Sequence, residues 1–329
     1  MEYINKIFHD NCLVGLKNIP DKSIHCSVTS PPYYGLRDYG TDEQIGLEST
    51  PQEYISKLLS VFKEVHRVLR DDGTLWINIG DSYAGSGHGH KEEQSGKQAT
   101  NRGTRFLYST PSFVLPNGMK PKDLMGIPWA LAFALRDYGW YLRQDIIWHK
   151  PNSMPESVRD RCTKNHEYIF LLSKSTNYYY DAEAISEYCV PETEKRSKYI
   201  YNFCKKGYVG LDGREPIPKY QEYKDKRNKR SVWTVATHCE TMAHFACFPE
   251  SLIIDCIRAG CPGNGIVLDP FIGSGTTAVV ARKLNRNYVG FEINSDYIEI
   301  AERKLHRELG MFSEPPQPVL PQSFQPDLF

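Results

Sequence analysis

Apolar positions along the chain alternate between two periods. Short runs rich in branched and aromatic residues, "SIHCSV" (23–28), "TLWINIG" (74–80), "YLRQDIIWHK" (141–150), "EYIFLLSK" (167–174), "GIVLDP" (265–270) and "NYVGFEI" (287–293), predict strands. Between them lie segments whose apolar residues recur every three to four positions. "QEYISKLLSVFKEVHRVLR" places Ile55, Leu58, Leu59, Phe62, Val65 and Leu69 on one helical face, and Asp72-Gly73 predicts its end. "PWALAFALRDYG", opened by Pro128, "PESLIIDCIRAG", "SGTTAVVARKLN" and "SDYIEIAERKL" read as further helices. Strands alternating with helices predict an α/β fold with a mostly parallel, doubly wound sheet covered on both faces.

Three stretches break the alternation. Residues 82–125, with "GSGHGHKEEQSGKQATNRGTR", are Gly-rich and polar, and a loop of that length in a compact domain predicts a mobile flap. Residues 176–232 mix tyrosines with charge. Within 191–230 there are 12 Lys/Arg against 6 Asp/Glu, a basic surplus hidden by a whole-chain balance of 40 basic and 40 acidic residues. Residues 311–329, "MFSEPPQPVLPQSFQPDLF", are proline-rich and predict an extended tail.

Composition narrows the class. With 329 residues and 40% hydrophobic content, the chain can bury a sizeable core. It has no run of eighteen apolar residues, so no membrane partner is expected, and "MEYINKIFHD" lacks the layout of a signal peptide. Nine scattered cysteines predict reduced thiols, and the expected compartment is the cytoplasm. His238, Cys239, His244 and Cys247 in "HCETMAHFAC" match no common zinc spacing, and His88 and His90 lie in the polar loop; no metal is expected.

Two stretches carry chemistry. In "TSPPYY" (29–34) a strand runs into two prolines, which cannot continue a central strand and hold the preceding residue extended. Ser30 and Pro31 then form a stiff edge whose oxygens can face a cleft. In "VLDPFIGSGTT" (267–277) a hydrophobic strand ends at Asp269, turns through Phe271, Gly273, Ser274 and Gly275, and enters a helix at Thr276 whose first N–H groups are unpaired. Seventeen residues beyond Gly275, at the end of the next strand, Glu292 can accept hydrogen bonds from two ribose hydroxyls. Together these predict a nucleoside pocket. A dinucleotide fingerprint would need glycine where Ala278 stands, and no Gly-Lys-Ser/Thr follows for a phosphate-binding loop.

The order of these motifs, "TSPPYYGLRDYG" first and "VLDPFIGSGTT" last with a variable segment between, resembles the β-group of amino-methylating, S-adenosyl-L-methionine-dependent DNA methyltransferases. "HDNCLVGLKNIPDKSIHCSV", "NHEYIFLLSKS", "RSVWTV" and "HFACFPESL" support it, over roughly residues 5–175 and 230–307. The resemblance implies a Rossmann-like methyltransferase fold. Its expected organisation is a catalytic half at 1–175, a target-recognition region at 176–232, a cofactor half at 233–310 and a tail at 311–329.

It also implies roles. The Ser30 hydroxyl and Pro31 carbonyl accept the two protons of an exocyclic amine, with Pro32 stiffening the turn and Tyr33 stacking on a flipped base. No covalent intermediate and no dedicated general base are needed. Asp269 and the Phe271–Thr276 turn attend the methionine end of the cofactor, Glu292 the ribose, Asp10 the adenine, and Phe248 closes over the methionine moiety. The basic run Lys224, Lys226, Arg227, Lys229 and Arg230 is the expected phosphate contact to double-stranded DNA, with Tyr201, Phe203, Tyr208, Tyr220 and Tyr223 interleaved. A serine before the prolines is associated in this family with N4 of cytosine and an aspartate with N6 of adenine; RNA or a small molecule is the alternative substrate class. The terminal Gln325-Pro326-Asp327-Leu328-Phe329 is similar to motifs that dock in a bacterial sliding clamp, and a homodimer is a further candidate assembly.

Overall fold

The computed structural model describes residues 2–36, 43–84, 119–189, 226–237 and 248–310. The expected flap falls mostly outside them, as do Lys224, the His/Cys cluster at 238–247 and the terminal pentapeptide. The described neck of the 82–125 segment is closed: Tyr83 bridges Leu124 antiparallel, and Ala84 N–H donates to the Asp123 carbonyl at 2.8 Å.

The strands are β1 (Lys6–His9), β2 (Ile24–Thr29), β3 (Leu69–Ile79), β4 (Tyr141–His149), β5 (His166–Ser173), β6 (Glu187–Tyr188), β7 (Lys226–Arg227), β8 (Val232–Thr234), β9 (Ile266–Asp269) and β10 (Asn287–Glu292). Eight of them form one sheet in the order β1-β10-β9-β2-β3-β5-β4-β8, and β6 pairs with β7 separately. Within the large sheet only β5 runs against its neighbours, antiparallel to both β3 and β4. β1 pairs in parallel with β10, so the N-terminal segment belongs to the same edge as the C-terminal cofactor strands. Its four residues are too short a run for the periodicity to reveal.

Six α-helices cover the sheet: α1 (Cys12–Gly15), α2 (Pro51–Val68), α3 (Ile127–Tyr138), α4 (Glu250–Gly260), α5 (Thr276–Lys283) and α6 (Ser295–Leu309). Alternate residues of the central strands serve the two faces. Leu75 and Ile77 of β3 and Phe170 of β5 pack with Leu58, Phe62 and Val65 of α2 and Leu131 of α3. Trp76, Ile169 and Val267 pack with Leu252 and Ile257 of α4 and Val279 of α5. Burial on both faces explains why these strands read as nearly continuous apolar runs.

Thr50 starts α2 by accepting the Glu53 N–H at 3.2 Å, with Pro51 in the first turn. The helix ends at Val68, four residues before the expected Asp72-Gly73 stop. Ser23 N–H takes the Val68 carbonyl at 2.9 Å and Leu69 turns extended to pair with Ile24, so the chain passes from helix to strand without a loop. Ile55 and Leu59 of the expected face are only partly buried, while Tyr54, Val61 and Val68 complete the buried stripe. No helix among the described residues is long and apolar enough to cross a membrane.

Candidate active site

β2 and β9 lie side by side, yet the chain leaves them in opposite directions across the sheet, toward β3 from one and toward β10 from the other. In open α/β sheets the crevice at such a switch point, outside the carboxyl ends of the strands, is where ligands bind. Both chemical motifs emerge there. They are stapled together: the Thr29 hydroxyl donates to Asp269 Oδ1 at 2.6 Å.

Asp269 is buried and holds the turn that follows it. Its Oδ1 also accepts the Phe271 N–H at 3.0 Å, and its Oδ2 accepts the Thr277 hydroxyl at 2.6 Å. Burial pushes its carboxyl up to about 6, against the pull of these three donors. Gly273 and Gly275 both have positive φ, +51° and +81°, and a Cβ on Gly275 would stand 2.8 Å from Cβ of Ala301 in α6. The turn then brings Gly273 N–H to Glu292 Oε2 at 3.0 Å, while Asn294 N–H takes Oε1 at 2.9 Å. Burial raises the Glu292 carboxyl, and the amide donors oppose that shift.

A cavity of about 350 Å³ opens at this edge, within the range of small-molecule sites. Ser30, Pro31, Pro32 and Tyr33 line it, as do Asp10, Glu292, Phe271 and Phe248. Asp10 is carried to Glu292 by the β1–β10 pairing, its N–H donating to the Glu292 carbonyl at 3.1 Å. Asp269, Gly273, Ser274, Gly275 and Thr276 stand behind that wall: Ser274 and Thr276 are buried, and the Lys304 ammonium donates to the Thr276 hydroxyl at 3.2 Å. They shape the turn rather than face the cavity.

Those wall residues fit S-adenosyl-L-methionine. An ionised carboxylate has about four acceptor positions, so Glu292 retains lone pairs for a ribose diol after binding two amides. Phe271, Phe291 and Ile293 supply apolar walls, and Asp10 adds a second carboxylate at the same end. Cys12 also lines the cavity; burial, foremost, pushes its thiol up to about 12, which leaves it a neutral, poor nucleophile.

The proline platform is held on three sides. Besides the Thr29 staple, the Pro32 carbonyl accepts the Tyr54 hydroxyl of α2 at 2.8 Å, and the Tyr33 hydroxyl donates to Glu167 Oε2 at 2.7 Å. Glu167, Asn78, Lys150, Trp148 and Thr237 line the cavity beyond the platform, and none was marked by motif reading. The available signal was a charged residue at the end of each of two apolar strands, Glu167 in "NHEYIF" and Lys150 in "IIWHK".

The described basic residues of the 224–230 run are already engaged away from this cavity. Arg227 and Arg230 flank Glu187 at 3.4 and 3.1 Å, Lys229 pairs with Asp255 at 2.5 Å, and Lys226 lies 5.6 Å from the Tyr188 ring centroid. Val232, at the boundary drawn for target recognition, opens β8 of the main sheet.

A family model described as DNA methylase (N6_N4_Mtase) matches residues 24–303. The chain is 46% identical over 302 residues to the type II methyltransferase M.Cfr9I of Citrobacter freundii, spanning 92% of this chain and 88% of that one. It is 44% identical over 302 residues to M.SmaI of Serratia marcescens, spanning 92% and 91%. Among solved structures, PvuII DNA methyltransferase (cytosine-N4-specific) superposes with a TM-score of 0.59 at 17% identity, covering 90% of this chain and 84% of that one. The DNA modification methylase TTHA0409 of Thermus thermophilus, complexed with S-adenosyl-L-methionine, gives 0.55 at 21% identity, covering 94% and 96%. This chain belongs to the N6/N4 DNA methylase family and has its Rossmann-like, S-adenosyl-L-methionine-dependent fold.

Proposed function

We propose that the chain transfers the methyl group of S-adenosyl-L-methionine to the exocyclic N4 of a cytosine flipped out of double-stranded DNA. The observation that carries this reading is the place of Ser30 and Pro31 in the cavity, on the strand between the Asp10/Glu292 end and the Asn78/Glu167 end. An exocyclic amine is a poor nucleophile because its lone pair is delocalised into the ring. Two fixed acceptors for its protons favour a tetrahedral nitrogen with the pair localised and aimed away from them. When bound, the cofactor supplies a methyl group on a cationic sulfonium, whose leaving group is a neutral thioether. Ser30 and Pro31 orient the amine, and Tyr33 supplies the stacking wall. The nitrogen is cationic after transfer and sheds its extra proton readily, so no general base is assigned.

Serine and aspartate both offer an acceptor oxygen, so Ser30 supports cytosine through the family's association of this motif. The cytosine-N4-specific title of the PvuII relative in fold agrees with it. The names of M.Cfr9I and M.SmaI suggest a type II modification enzyme, one that acts at a defined duplex site. Lys226 and Arg230, both exposed, are the described candidates for phosphate contact.

Incubating the protein with labelled cofactor and unmethylated plasmid, then digesting to nucleosides for mass spectrometry, tests the reading. N4-methylcytosine is expected. N6-methyladenine would overturn the base assignment, and labelled RNA with unlabelled plasmid would overturn the substrate.

A further inference from the structure

The end of the cavity farthest from Asp10 and Glu292 is organised around one carboxylate. Glu167 stands at the start of β5, and because β5 alone runs against the sheet, its first residues reach the edge where β2, β3 and β4 finish. Three donors from three other elements converge on it. Tyr33, after β2, donates its hydroxyl to Oε2 at 2.7 Å; Asn78, near the end of β3, donates Nδ2 to the same oxygen at 3.1 Å; Lys150, after β4, donates its ammonium to Oε1. Asn78 Oδ1 lies 3.3 Å from the Tyr33 hydroxyl, which closes a ring of contacts.

The side chains of Glu167 and Lys150 are only 15% and 19% exposed. An ion pair at that depth costs several kcal/mol of desolvation per charge, and an apolar pair of the same volume would serve stability as well. Its place in the sheet suggests what it serves. Glu292, Phe271 and Ser30 follow β10, β9 and β2 in order; β3 and β5 come next, so Glu167 is about 10 Å past the Ser30 strand at roughly 4.8 Å per strand. That is the side away from the residues assigned to the cofactor. The Tyr33 ring is also pressed against the backbone, since a Cβ on Gly80 would stand 2.8 Å from Tyr33 Cε2 and 3.5 Å from Glu167 Cδ. Burial, and after it the Glu167 charge, pushes the Tyr33 phenol well above its ordinary value, so the hydroxyl stays a donor.

We propose that Glu167 is a positioning residue for the target base: it locks the Tyr33 ring in one plane and holds the Lys150 ammonium at the base end of the cavity. This rests on the reading of Tyr33 as the wall on which the base stacks. A base entering from duplex DNA then meets a preformed surface, and the ordering of Tyr33 is not charged to the transfer step.

Glu167→Gln keeps the shape and one acceptor oxygen and removes the charge. In the full-length protein, methyl transfer to plasmid at saturating cofactor should fall at least tenfold. Cofactor Kd, by calorimetry, should stay within twofold and the melting temperature within a few degrees. Tyr33→Phe, which deletes only the hydroxyl, should lose transfer in the same way, and the double variant should lose no more than the worse single one. Wild-type transfer by Glu167→Gln, losses that multiply in the double variant, or a cofactor Kd that weakens as much as transfer would each overturn the proposal. Should Glu167→Gln fail to fold, Tyr33→Phe carries the test: an undiminished rate overturns it and a loss with intact cofactor binding supports it. Tyr33→Ala separates the premise, because transfer unchanged in that variant removes the stacking wall itself, whatever Glu167 does.

Discussion

The two ends of the cavity are built from different parts of the polypeptide. At the cofactor end the carboxylates are held largely by backbone amides: Gly273 and Asn294 on Glu292, Phe271 on Asp269. At the base end the contacts are side chain to side chain, with Tyr33, Asn78 and Lys150 meeting on Glu167. An amide donor survives almost any substitution of its own residue, whereas a side-chain donor is lost with a single change. The cofactor end should therefore be vulnerable at its carboxylates and at positions that set the path of the turn. The base end should be vulnerable at every member of the cluster.

Crossed substitutions at the two ends give the largest expected effects. Ser30→Ala removes one of the two acceptors for the amine, and methyl transfer should fall about 10²-fold, the scale on which misaligned reactants lose rate. Cofactor Kd should stay within twofold. Glu292→Ala should do the reverse: cofactor Kd rises about 10- to 100-fold, as for loss of a charged hydrogen-bond acceptor, and transfer recovers to within a few-fold at saturating cofactor. Single-turnover rates and calorimetry on both variants read the two quantities separately. If both variants lose both quantities together, the cavity does not divide as described.

The same contrast explains what the sequence made legible. The Asp269 turn and Glu292 lie within 24 residues of one another on consecutive elements, so local spacing exposes them, and the two prolines mark the end of β2 without any knowledge of its neighbours. Glu167 is 134 residues from Tyr33, and only the order β2-β3-β5-β4 makes them adjacent. Nothing local in "NHEYIF" says that β5 is reversed, and it is the reversal that brings its first residue to the active edge. β1 escaped for a related reason: a strand of four residues gains its identity from pairing with β10 rather than from its own pattern.

Two glycines allow the contrast to be sharpened with milder changes. A Cβ on Gly80 would press on the Tyr33 ring, and one on Gly290 would stand 2.1 Å from Ile272 Cδ1, in the turn after Asp269. Gly80→Ala should cut transfer about tenfold and leave cofactor Kd alone, because the displaced group is the base-side wall. Gly290→Ala should destabilise the fold by about 1–3 kcal/mol, the usual range for overpacking, and weaken cofactor binding several-fold as Ile272 shifts. Melting curves and cofactor titrations on the pair check this. An unchanged cofactor Kd in Gly290→Ala would mean that the turn can move without the cofactor wall.

The smallest expected effect on activity, and the one with an unusual sign, comes from Asp269. Its carboxyl titrates near 6 in the folded protein because it is buried. Oδ1 accepts both the fixed Phe271 N–H and the Thr29 hydroxyl, so the incoming proton settles on Oδ2, where the Thr277 hydroxyl can rotate to accept it. The turn then loosens only slightly, and cofactor Kd should weaken less than threefold as pH falls from 7 to 5. Stability should move the other way. Between the ordinary aspartate range near 4 and about 6 the folded state binds a proton that the unfolded state has released, so this group's contribution to stability rises as pH falls and is lost as pH rises through that window. Asp269→Asn resembles the protonated form. It should therefore hold the low-pH cofactor affinity at every pH, and exceed the wild type in stability at pH 7 by on the order of 2–3 kcal/mol, a margin that vanishes by pH 4. Denaturant titrations at several pH values measure that margin. A margin that widens on acidification would show that Asp269 is stabilised as the anion, and that its three donors outweigh its burial.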